Sequence, residues 1–336
     1  MSDRTSQMCP SWREVADAFD SFPDQKLGYD GDGELSEALW VFRGLKNAEY
    51  SLKPTIERET QKKVVTWVTL ESKILEEFQA LARMHLNPSD LPTGPDERLG
   101  WLSLMQHYSV PTRLLDFTLS PYVALYFAIS NRTNSEQQSP AEVWAIDAAA
   151  LVNVAKKTSW QADREEEEHA RKKASTTVSL QVQAANLGDL RLYATDGDSL
   201  QYETASRSRM ISAALSATGI RRAHFNESGF VTFAMPPVQN RRLSSQQGAF
   251  LFSGAEELAF DESLSRMMSG QTNWCKRFQI PNDAMTHIEG QLFKRNIHHL
   301  SLFPDIEGLA GFIRQKVRLH WVPDDSPVIE RYPLGG

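Results

Sequence analysis

The chain has 336 residues, 41% of them hydrophobic and 24% charged, enough for one large domain or two smaller ones around a real core. A formal net charge of −7 argues against nucleic-acid binding by bulk charge and leaves room only for a local basic groove. Cys9 and Cys275 form no motif, no apolar run is long enough to span a bilayer, and the N-terminus has no signal-peptide pattern, so the expected location is the cytoplasm.

Ser11 and Glu14 make a capping-box pattern, and Trp12, Val15 and Phe19 follow at helical spacing, which predicts a short helix. Residues 1–33 read as a helical lead to a domain over 34–330. Within the lead, Tyr29-Asp30-Gly31-Asp32-Gly33-Glu34-Leu35 is similar to the middle of a calcium loop. Its first ligand position would be Gly28 and its last Leu39, so it is read as a solvated turn without a metal. Gly31 and Gly33 also lack the third glycine of a dinucleotide loop, whose place is Ser36.

In Leu39-Trp40-Val41-Phe42-Arg43-Gly44 a buried-strand pattern runs straight into an arginine and a glycine. An arginine at a strand mouth stays charged and needs a carboxylate, a phosphate or water for its fork of donors. It is therefore either a structural ion pair or an anion site. The stretch from Leu52 to Arg58 reads as an extended connection, and a long helix follows over about 66–86. The apolar face of this helix is Ile74, Leu75, Phe78, Leu81 and Ala82, and Glu71 lies on the same face. A carboxylate there requires a partner, for which Arg43, Arg58 and Arg113 are the candidates.

A second helix carries Leu99, Leu102 and Met105 and ends at Gln106-His107-Tyr108. Pro111-Thr112-Arg113-Leu114-Leu115-Asp116-Phe117-Thr118 then reads as a turn. Ser120-Pro121 is a helix start, with a capping hydroxyl and then proline at the first helical position. The helix Tyr122–Ala128 is apolar on nearly every side and should be fully buried. Polar groups held against such a rigid support suit a site, and equally suit a well-satisfied turn.

These residues carry a family resemblance. Phe42-Arg43-Gly44, the block from Gln106 to Thr118 and the run Ala124-Leu125-Tyr126-Phe127-Ala128 resemble the FRG domain, named for that tripeptide. The resemblance continues at Arg242-Leu243-x-x-Gln246-Gln247-Gly248-Ala249-Phe250 and ends at Leu302-Phe303-Pro304-Asp305-x-x-Gly308-Leu309, covering about 39–315. It departs at Ser109, where the family usually has glycine.

A more distant resemblance supplies a mechanism. Arg43, then Phe117-Thr118-x-Ser120 with Ala124 and Phe127, then a strand over 246–252, follow the order of the arginine class of ADP-ribosyltransferases. The resemblance implies that Arg43 holds a dinucleotide phosphate or ribose and that Thr118 and Ser120 shape the nicotinamide-ribose pocket. It also implies that Gln247 bonds a ribose hydroxyl as an oxocarbenium-like centre develops. The family has glutamate at that last place. Glutamine cannot act as base or offset positive charge, so Asp116, and after it Glu71, are the carboxylates that would substitute.

The remainder is less specific. Val143–Asp147, Phe230–Met235 and Phe278–Ile280 read as strands. Residues 150–222 change to Ala, Ser, Thr and Gln and are read as a helical insertion, with a solvated helix over 165–173 and a basic patch of Arg207, Arg209, Arg221 and Arg222. His287, His298 and His299 lack metal-ligand spacing.

The expected protein is α+β, a mixed β-sheet core flanked by helices, ADP-ribosyltransferase-like, with a helical insertion. Its expected function is an NAD-using ADP-ribosyltransferase or NAD glycohydrolase-like effector, such as a bacterial toxin or phage-defence protein. NAD is then the substrate, with a protein or nucleic acid as acceptor. The candidate catalytic residues are Arg43, Asp116, Gln247 and His107, and the candidate binding residues are Arg43, Thr112, Arg113, Thr118 and Ser120. The alternatives are a non-catalytic module binding a nucleotide or nucleic-acid end through Arg43 and Arg113, and an enzyme of another type using His107 and Asp116 as acid and base.

Overall fold

The computed structural model describes residues 6–23, 39–60, 66–93, 97–155, 231–235, 241–254 and 258–320. The calcium-loop-like turn, the solvated helix over 165–173 and the basic patch lie outside the described residues, as does most of the 150–222 segment.

In chain order the elements are β1 (Ser6–Met8), α1 (Trp12–Asp20), β2 (Trp40–Leu45), α2 (Thr55–Glu59), α3 (Trp67–Ala82), α4 (Glu97–His107), β3 (Leu114–Thr118), α5 (Pro121–Ile129) and β4 (Ala141–Asp147). Then come β5 (Val231–Ala234), α6 (Arg241–Ser245), β6 (Gly248–Ser253), α7 (Phe260–Met267), β7 (Cys275–Ile280), α8 (Asn282–Lys294), α9 (His299–Leu302) and α10 (Ile306–His320). The seven strands form one mixed sheet in the order β1-β7-β4-β2-β3-β6-β5. β1 runs parallel to β7, and every other neighbouring pair is antiparallel. The protein is therefore α+β. No helix among the described residues is long and apolar enough to cross a membrane.

Each face of the sheet is covered by helices, so the fold has two cores. On one face, Leu75 and Ala82 of α3, Trp101 and Leu102 of α4 and Phe260 and Leu264 of α7 pack on Val41, Leu115 and Leu251. On the other, Val15 and Phe19 of α1, Ala124 and Leu125 of α5 and Ile288 and Leu292 of α8 pack on Trp40, Phe42 and Val143. β2 alternates between them, with Trp40 and Phe42 in one core and Val41 and Leu45 in the other.

Local signals hold where they are complete. Ser11 caps α1 by accepting from the Glu14 N–H, and Ser120 caps α5 by accepting from the Val123 N–H. α5 buries six of its nine residues, as its apolar sequence predicts. Two expectations are corrected. Thr55–Glu59 is a short helix rather than extended chain, because the Pro54 carbonyl accepts from the Glu57 and Arg58 N–H groups and starts a turn. Leu114–Thr118 is a central strand rather than part of a turn, paired along its whole length with β6. Ser109, at φ 60°, adopts the left-handed conformation that favours glycine, which accounts for the glycine the FRG resemblance leads one to expect there.

Candidate functional site

The sheet is continuous but nearly divided. β2 has six register pairs with β4 and β3 has five with β6, yet β2 and β3 share one, Phe42 with Thr118. Beyond that pair the two strands separate, and backbone groups along the gap need other partners. Arg43 supplies one. Its Nη1 donates to the Asp116 carbonyl oxygen at 2.5 Å, while its buried Nε has no hydrogen-bond partner among the described residues.

The neighbouring glycine has a separate reason. A Cβ at Gly44 would fall into the Ala124 carbonyl oxygen and 2.6 Å from the Ala128 nitrogen, so only glycine lets α5 lie this close to β2. In the tripeptide, Phe42 anchors a core, Arg43 turns toward the gap and Gly44 admits the helix.

The gap opens into a cleft of about 460 Å³. Its walls carry four cationic side chains, Arg43 and Lys46 from β2 and the loop after it, Arg58 from α2 and Arg242 from α6. Two carboxylates, Asp116 and Glu136, share it with His107, Gln106, Gln246 and the rings of Tyr50 and Phe127. Among the described residues, none of the four cations is in an ion pair with a carboxylate. Lys46 donates to the Asn131 carbonyl at 3.0 Å, Arg58 to the Thr55 hydroxyl at 3.0 Å, and Arg242 stacks over Phe303 at 4.6 Å. Burial pushes the Arg43 guanidinium below its ordinary pKa; Asp116 opposes that shift and Arg58 adds to it.

Asp116 is held by a short relay. The buried Thr112 hydroxyl donates to Gln106 Oε1 at 2.6 Å, and Gln106 Nε2 donates to Asp116 Oδ2 at 2.9 Å. The Thr112 oxygen also accepts from the Leu114 N–H at 3.2 Å, which fits a hydroxyl proton directed at Gln106. Asp116 itself is exposed. Burial first, and then the charge of Arg242, hold His107 below the ordinary histidine pKa, with Asp305 opposing. Both effects favour the neutral imidazole.

The structure brings Arg43, Asp116, His107 and Thr118 to this one cleft. Thr118 uses its hydroxyl within the fold, donating to the Gln246 carbonyl at 2.7 Å and accepting from the Ser120 N–H at 3.1 Å. Ser120 is committed to the α5 cap. Thr112 stands behind Gln106, outside the cleft lining. Arg113 also lies outside the lining. It is 4% exposed and donates through Nε and Nη2 to Glu71 Oε2, at 3.1 and 2.9 Å. Glu71 further accepts from the Arg113 backbone N–H at 2.8 Å. The carboxylate on the apolar face of α3 thus pairs with Arg113 and leaves Arg43 to the cleft.

Gln247 is exposed, has φ 48°, and contributes its carbonyl to the Leu119 N–H in the turn before β6, outside the cleft lining. The neighbouring Gln246 lines the cleft, and its Nε2 donates to the Leu302 carbonyl at 3.1 Å. Sequence reasoning missed Lys46, Arg58, Tyr50 and Glu136 as lining residues. They sit on loops or short helices that carry no periodic signal, and the tertiary fold alone brings them to β2 and β3. Among the described residues no cluster of His, Cys, Asp or Glu is arranged to hold a metal ion.

Residues 38–137 match the family model of the FRG domain. That span holds β2, α4, β3 and α5, and therefore Arg43, Gln106, His107, Asp116 and Thr118. The cleft wall formed by Arg242, Leu243, Gln246 and Phe250 lies outside it. No curated protein and no solved structure matches the chain.

Proposed function

We propose that the cleft between β2 and β3 binds a nicotinamide dinucleotide, and that the protein is an NAD-using ADP-ribosyltransferase or NAD glycohydrolase. The observation that carries this reading is Arg43. It stands at the split of the sheet, beside three more cations that, like it, are in no ion pair with a carboxylate among the described residues, in a protein whose net charge is −7. A guanidinium in that state suits a phosphate, whose oxygens accept its fork of donors. Tyr50 and Phe127 offer aromatic surface to a base or nicotinamide ring.

The chemistry asked of the chain is modest. The bond between ribose C1′ and the nicotinamide nitrogen breaks, and its electron pair neutralises the ring as nicotinamide leaves. Positive charge develops on the ribose. A carboxylate in the cleft offsets that charge and accepts the proton when water or an acceptor group forms the new bond to C1′. Asp116 is assigned that role because its carboxylate is held in the cleft by Gln106. His107 is assigned as a second proton acceptor.

A non-catalytic binding module is the second reading. It is favoured by β6, whose sequence Gly248–Ser253 has no carboxylate, and by Gln246, whose amide is tied to the Leu302 carbonyl. Incubation with the dinucleotide, with nicotinamide release followed by chromatography, separates the two. Release that disappears in Arg43→Ala and falls at least tenfold in Asp116→Asn supports the enzyme. Binding without release supports the module. Absence of both overturns the dinucleotide reading.

A further inference from the structure

We propose that Arg43 and Arg58 form a two-guanidinium clamp for a diphosphate, so that the cleft selects nucleoside diphosphates and dinucleotides over ligands with a single phosphate. The proposal deepens the reading of the cleft as a nucleotide site and adds Arg58, which no sequence motif marks.

The position of Arg58 is fixed by its helix. α2 has five residues, too few to persist by helix propensity alone. It is held instead at three points. Ile56 is fully buried, its N–H donates to the Thr112 carbonyl at 3.2 Å, and Glu57 accepts from the Phe260 N–H at 3.0 Å. These contacts tie α2 to the start of β3 and to α7, and they present Arg58 to the same cleft as Arg43.

Arg43 and Arg58 share the cleft and act on one another, and among the described residues neither is in an ion pair, though the charge of Asp116 acts on Arg43. Arg58 has one hydrogen bond among the described residues, to the Thr55 hydroxyl of its own helix. Arg43 has one, to the Asp116 carbonyl, and a buried Nε with none. Three other arginines of the fold are in ion pairs with carboxylates, while the half-buried Arg132 is held by carbonyl oxygens and the Asn282 amide. Arg113 pairs with Glu71, Arg318 with Glu289, and Arg277, whose Nε is also unpaired, places its Nη2 2.8 Å from Glu142. Two adjacent guanidinium groups repel, and an anion that bridges them removes the repulsion while satisfying the free donors. A diphosphate offers each arginine its own phosphoryl group, which an orthophosphate cannot do. Lys46 and Arg242 add to the local field but hold neighbouring groups of the fold.

The test is calorimetric titration of the full chain with inorganic pyrophosphate and with orthophosphate, using wild type, Arg58→Gln and Arg13→Gln. Arg58 is exposed, so its substitution leaves the cores intact, and Arg13 is an exposed arginine on α1 that serves as control. Pyrophosphate should bind wild type roughly tenfold or more tightly than orthophosphate. Arg58→Gln should lose most of that preference and Arg13→Gln should keep it. Equal affinities in wild type, or an unchanged preference in Arg58→Gln, overturn the clamp. If nicotinamide is released from the dinucleotide but Arg58→Gln keeps the preference, the clamp fails and the dinucleotide reading stands. If the preference collapses in Arg58→Gln and no nicotinamide is released, the clamp stands and the enzyme reading fails.

Discussion

Replacing Gly44 by alanine tests the packing on which the cleft depends. The added methyl meets the backbone of α5 at the Ala124 carbonyl and the Ala128 nitrogen, so trimming a side chain cannot relieve it. The helix must retreat by about 1 Å, a gap that forfeits roughly a quarter or more of each contact energy along its packed face. α5 buries six residues. At roughly 2 kcal/mol of burial for each, that share comes to about 3 kcal/mol. For a domain of this size, the loss lowers the melting temperature by about 6–12 °C. Thermal unfolding followed by circular dichroism measures it. The double variant Gly44→Ala/Ala124→Gly should melt no higher than the single one. A Gly44→Ala protein melting within about 2 °C of wild type, or recovery in the double variant, would refute the close-approach argument.

Glu71→Gln leaves the Arg113 guanidinium buried without its counter-charge, and should cost about 3–5 kcal/mol in urea unfolding; a cost below about 1 kcal/mol contradicts the assignment of Arg113 to the frame. Burial, and then the nearby Glu14 carboxylate, push the Cys9 thiol up to about 11, and Cys9 is fully buried. At pH 8 a thiol reagent should therefore titrate one cysteine of the native protein, the half-buried Cys275, and reach Cys9 only in denaturant. Equal reaction of both thiols in the native state contradicts it.

What was legible in the sequence was what short-range chemistry dictates. The Ser11 and Ser120 caps, the buried α5 and the need of Glu71 for an arginine all follow from neighbouring residues. β3 was hidden because Leu114-Leu115-Asp116-Phe117-Thr118 neither alternates cleanly nor avoids aspartate, a poor strand former; its pairing with β6, far away in sequence, overrides local preference. β1 is three residues long and owes its existence to β7, at the other end of the chain. The site divides in the same way. Arg43 and Asp116 are marked by motifs, whereas Arg58 reaches the cleft because Ile56 and Glu57 staple α2 to distant elements. The choice between Gln246 and Gln247 lies in the turn before β6, where Gln247 has φ 48° and is exposed while Gln246 lines the cleft.

The most direct measurement is a crystal structure of the Asp116→Asn protein grown with the dinucleotide, in which the ligand is retained. A diphosphate is expected within hydrogen-bond distance of the Arg43 guanidinium, in the gap between β2 and β3. Dinucleotide bound elsewhere, with Arg43 still holding only the Asp116 carbonyl, would contradict this expectation.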